Sequence, residues 1–96
     1  MNISTAKEFE LDFSNCSTLG EIYDVIKSEL ELPDWFGGNM SAFWDALTGI
    51  IQVPAVIVFH KQVQNEDLLP FIEKLIEIAH RAEREAYLEL TIIEKE

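Results

Sequence analysis

The chain has a single cysteine, Cys16, so no internal disulfide framework can form. No apolar run comes near the roughly 20 residues that a membrane helix needs. The opening residues, MNISTAKEFELDF, lack the basic start and apolar core of a signal peptide, so a cytoplasmic protein with no membrane contact is expected. Histidine is scarce too: His60 and His80 stand alone, without HxxH or HExxH spacing, and no zinc site is expected. Cys16 and a distant histidine would make a nucleophile pair only in principle; a lone cysteine just before a helix start reads as structural. Gly37-Gly38 is too short to cradle a phosphate and lies among acids. Neither catalysis nor a cofactor is expected.

Positive charge is also in short supply. Seven lysines and arginines face eighteen acids, for a net charge of −11. Residues 1–54 carry nine acids and two lysines, and residues 55–96 nine acids and five bases. A field of this sign repels phosphate backbones, which argues against direct nucleic-acid binding. It attracts basic partners and speeds encounter with them. Solubility alone would account for the same acidity.

What is present is a single globular domain over residues 1–96, nearly half apolar and about a quarter charged. Its most informative stretch is LPDWFGGNMSAFWDALTG, from Leu32 to Gly49. Pro33 and Asp34 break what precedes them, and Gly37-Gly38 permit positive φ. Asn39 is placed as an N-cap. Met40, Phe43, Trp44 and Leu47 then recur at i, i+3, i+4 and i+7, an apolar helical stripe. Ser41, Asp45 and Thr48 fall on the other side, and Gly49 is expected at C′.

The remaining elements follow from periodicity. Phe9, Leu11 and Phe13 alternate with Glu8, Glu10 and Asp12, as in a half-buried strand. Thr18 and Glu21 form a capping box for a helix with Leu19, Ile22, Tyr23, Ile26 and Leu30 inward, stopped by Pro33. Ala55 to Phe59 is continuously apolar and predicts a central strand covered on both faces. One turn over Asn65 to Leu69 leads to Pro70, which restarts a helix whose inner face is Phe71, Ile72, Leu75, Ala79, Ala82 and Ala86. Leu88, Leu90 and Ile92 alternate with Glu89, Thr91 and Ile93 in a last strand. Strands separated by helices favour parallel pairing, so an α/β fold is expected, a three-stranded parallel sheet with helices on one face.

The central stretch resembles the barstar family of small ribonuclease inhibitors. The resemblance rests on Leu32-Pro33, Asp34, Trp35-Phe36, Gly37, Asn39 and the run Trp44-Asp45-Ala46-Leu47-Thr48-Gly49. It implies a two-layer barstar-like sandwich and a cis bond at Val53-Pro54. It also implies a toxin inhibitor or immunity protein whose partner is a basic toxin or ribonuclease, bound one to one. The implied contact residues are Trp35, Gly37, Asn39, Met40, Ser41, Trp44, Asp45 and Thr48, with Asp45 in place of a scissile phosphate. By their residue types, Trp35, Phe36 and Trp44 fit either interface anchors or caps on the core. The matching positions imply Trp35 and Trp44 as partly exposed contacts and Phe36 as core.

The chain departs from the family pattern in places. Ser41 stands at the helix's other acidic position, and Ile50 at the aromatic after its closing glycine. The late-helix acidic positions fall on Ala82 and Ala86, with Glu83 and Glu85 beside them on other faces. Immunity proteins that diverge with their toxins would show such swaps. The other reading is a non-inhibitory acidic binding module that keeps the fold and has lost the ribonuclease partner.

Overall fold

The computed structural model describes residues 6–85 and 90–96. In chain order the elements are β1 (Lys7–Asp12), α1 (Leu19–Glu29), α2 (Met40–Gly49), β2 (Ala55–His60), a 3-10 turn (Glu66–Leu68), α3 (Leu69–Glu85) and β3 (Leu90–Lys95). The strands form one sheet in the order β1-β2-β3, all parallel, with Phe9, Ile57 and Ile92 in register across it. This is the expected α/β arrangement, and the most apolar strand is central. The Val53–Pro54 peptide before it is cis. Ala86, Leu88 and Glu89, assigned above to the helix face and the last strand, lie outside the described residues.

Local chemistry starts each helix. Thr18 accepts from the Glu21 N–H, and the Glu21 carboxylate accepts from the Thr18 N–H, a complete capping box. That carboxylate also takes the Ser17 N–H and hydroxyl, and these bonds hold its pKa below the usual value. Asn39 caps α2 by accepting from Ala42 N at 2.8 Å, and Gly38 supplies the positive φ, +64°, just before it. Asn65 caps the 3-10 turn that runs into α3, with Pro70 in the first turn.

Two helix ends differ from expectation. α1 finishes before Pro33 is reached: Glu31 adopts φ 55°, its N–H bonds to Ser28 O, and Leu32 N–H bonds to Lys27 O at 2.9 Å. That is a Schellman motif with glutamate where glycine is usual. α2 does not close with Gly49 at C′. Gly49 is its last residue, and Ile50 is the cap with an ordinary right-handed φ of −115°. The Ile50 and Ile51 N–H groups share the Ala46 carbonyl, so no left-handed residue is required.

The core lies between sheet and helices. Phe9, Leu11, Ala55, Ile57, Phe59, Leu90 and Ile92 from the strands meet Ile22, Ile26, Phe43, Leu47, Ile72, Leu75, Ala79 and Ala82 from the helices. Phe13 is wholly buried just past β1 and tilts against Phe59. The expectation that β2 is covered on both faces needs correction. Ala55, Ile57 and Phe59 enter the helix-covered core, whereas Val58 is 1% exposed yet outside that cluster. Its cross-strand neighbours in register on the other face are Glu10 and Ile93.

Candidate functional site

The loop after α1 is held by aromatic packing. Phe36 N–H closes a turn onto Pro33 O at 3.0 Å. The Phe36 ring lies 6.3 Å from that of Tyr23, which meets Phe71 edge-on at 6.4 Å. Phe36 is thus half-buried against the core, not inside it. Trp35 points away and is 72% exposed. Asp34 is exposed beside Lys27, 3.5 Å away. Gly37 is exposed, and a Cβ there would meet Asn39 Nδ2 at 3.3 Å and Ala42 Cβ at 3.8 Å.

Helix α2 packs on α3 and buries Phe43, Ala46 and Leu47 wholly in the core. That seating leaves Ser41 and Asp45 exposed and Met40 and Trp44 half-buried. Asp45 is the one charged residue of α2. Among the described residues, no lysine, arginine or histidine forms an ion pair with it. Met40, Ser41, Trp44 and Asp45 line one wall of an open groove of about 310 Å³, and Ile78 and Arg81 of α3 line the other. The Arg81 guanidinium lies over the Trp44 ring, 5.4 Å from its centroid.

The groove therefore joins four of the residues expected at the site. Trp35, Gly37 and Asn39 are on the preceding loop and do not line it. Thr48 is half-buried farther along α2, and its hydroxyl donates to Trp44 O at 2.9 Å. Sequence reasoning missed Ile78 and Arg81. The available signal was that Lys74, Ile78 and Arg81 recur at i, i+4 and i+7, beside the inner stripe of α3.

The late helix offers less than its sequence suggested. Ala82 is 0% exposed and belongs to the core. Glu83 is committed to the fold, accepting the Ile92 N–H at 2.9 Å and facing His80 Nδ1 at 3.1 Å. Glu85 pairs with Arg81. His60 faces Glu10 across the open side of the sheet. Cys16 is buried, and burial together with Glu21, Asp12 and Asp24 pushes its thiol pKa up, the opposite of nucleophile activation. Among the described residues no helix is long and apolar enough to cross a membrane.

Comparison with known proteins agrees with this architecture. Residues 6–93 match the family described as Barstar (barnase inhibitor), and the chain belongs to that family. It is similar to a Bacillus subtilis (strain 168) protein named "Putative ribonuclease inhibitor YrdF", with 32% identity over 83 residues. The match covers 85% of this chain and 88% of that protein.

Proposed function

We propose that the chain is a cytoplasmic inhibitor or immunity protein that neutralises a basic toxin, a ribonuclease, by covering its active site one to one. Asp45 enters the cleft where a phosphate of RNA would sit and accepts charge-assisted hydrogen bonds from the toxin's arginines and lysines. Trp35 and Trp44 are the aromatic anchors, Gly37 and Asn39 the loop contacts, and Met40, Ser41 and Thr48 complete the surface. The partner is a protein, bound without a cofactor, since a net charge of −11 keeps RNA itself away.

The observation that carries this reading is the setting of Asp45. It is an exposed lone carboxylate on a helix whose opposite face is locked into the core. A charge so held loses little conformational freedom on binding. Family membership supports the broader inhibitor role.

The test is calorimetric titration of a basic ribonuclease toxin domain from the same genome, with Asp45→Ala alongside. Tight one-to-one binding that weakens by about 2–5 kcal/mol in the variant is the expected result, as for a desolvated charge pair. Binding that ignores the variant would move the interface elsewhere.

One observation favours a non-inhibitory binding module: Ser41 is neutral and Ala82 is buried, so the acidic surface is reduced. Salt separates the readings. Insertion of Asp45 predicts an association rate that falls steeply with ionic strength, and an apolar docking module a nearly constant one.

A further inference from the structure

Arg81 brings a basic side chain up against this acidic surface. It shares the groove with Asp45 and covers the Trp44 ring. A second groove runs on along α3, lined by Lys74, Glu77, Ile78, Arg81 and Arg84. Ile78 and Arg81 belong to both grooves, so they form one continuous surface. Three of the chain's seven basic residues are thus gathered on a single strip of a protein of charge −11.

The strip has acids of its own. Glu77 lies 3.6 Å from Lys74, and Glu85 lies 3.2 Å from Arg81. Both are exposed pairs one turn apart on the helix, which are weak and readily exchanged. The Glu85 bond engages only Nε of Arg81. The terminal amino groups are the ones suited to a second carboxylate.

The geometry points to a specificity device: Arg81, supported by Arg84 and Lys74, selects a toxin that sets a carboxylate beside the cations receiving Asp45. This rests on the reading of Asp45 given above. A guanidinium already laid on an aromatic ring offers a planar fork at small entropic cost, a form that suits carboxylates. A ribonuclease whose cleft rim is cationic throughout, as phosphate binding favours, meets repulsion at the same point. The surface thus sets the Asp45 carboxylate of α2 beside a local cluster of Lys74, Arg81 and Arg84 on α3, and its partner carries the reverse order.

The probe is barnase, the ribonuclease named in the family's description. Its binding is measured at low salt with the intact chain and with Arg81→Glu, Arg84→Glu and both together, each with and without Asp45→Ala. The double reversal is expected to bind barnase at least tenfold more tightly than the native chain. Arg84→Glu alone, which leaves the Trp44 stack in place, should move the same way by a smaller factor. Unchanged or weaker binding overturns the proposal, and so does the absence of binding by every chain, because removing the repulsion should have created affinity. Loss of binding on Asp45→Ala with no effect of reversal would sink the strip and keep the plug. A gain on reversal that Asp45→Ala leaves intact would do the opposite.

Discussion

Nε2 of His80 and a carboxylate oxygen of Glu94 lie 2.7 Å apart, joining α3 to β3. On the other side of the ring, Nδ1 faces Glu83 at 3.1 Å, and Glu83 also holds the Ile92 N–H. Only the imidazolium can donate from both nitrogens. The Glu94 hydrogen bond, then Glu83, raise the His80 pKa against the opposing effect of burial. The bonds from His80 and Lys61 lower that of Glu94.

This contact makes stability depend on pH. A raised histidine pKa contributes fully below the ordinary value of 6.5 and is lost as pH rises through the folded value. A lowered glutamate pKa contributes fully above 4.5 and is lost as pH falls through its folded value. The stability difference between native chain and His80→Gln should therefore be greatest between those two values and shrink at alkaline pH. Urea unfolding across that range checks it, and a difference that does not vary with pH would refute it.

Glu31→Gly should stabilise the protein. Glutamate at φ 55° bears a left-handed cost of about 1–2 kcal/mol. Glycine gives back about 0.4–1 kcal/mol through its freer unfolded chain. The exposed Lys7–Glu31 pair at 3.4 Å adds little. A net gain of roughly 0.5–1 kcal/mol is expected by chemical denaturation, whereas Glu31→Ala should show none of it.

Ser41→Glu should also stabilise, through a different cause. Ser41 is exposed in the first turn of α2, where no acid is present. A carboxylate there meets the positive end of the helix dipole, worth about 0.3–1 kcal/mol at low ionic strength, and repulsion from Asp45 one turn on takes back about 0.2–0.5 kcal/mol of it. The gain should fade in high salt; a gain that persists would have another origin.

The two tryptophans should separate stability from recognition. Trp35 is 72% exposed, so Trp35→Ala should change stability by less than about 0.5 kcal/mol while weakening toxin binding. Trp44 packs on the core under Arg81, and Trp44→Ala should cost about 1–2 kcal/mol as well as affinity. Fluorescence of the single-tryptophan variants gives an independent check. Emission with Trp44 alone should be blue-shifted relative to Trp35 alone, and coincident spectra would contradict the burial described.

Features governed by near neighbours were legible in the chain. The Thr18–Glu21 box, the Asn39 cap and the Phe43–Leu47 stripe each depend on residues within one or two turns. Where the reading slipped, a distant or alternative partner decided. A continuous apolar run at Ala55–Phe59 suggested two covered faces, yet the register neighbours of Val58 are Glu10 and Ile93, which are remote in sequence. Gly49 looked like a left-handed cap, but a carbonyl shared by Ile50 and Ile51 ended the helix without one. Arg81 could not be placed on Trp44 by periodicity, because the approach of α3 to α2 sets that contact.

Helix α2 has a freedom that its neighbours lack. One helix suffices to carry the chain between parallel strands, and α1 already does so between β1 and β2. The second helix of that crossover packs on α3 and is anchored in the core by Phe43, Ala46 and Leu47. Its exposed positions, Ser41, Asp45 and Gly49, are at liberty to change without disturbing a strand register. The outward face of α2 is thus an exchangeable panel on a fixed chassis, open to rewriting while the buried side of the same helix stays constant.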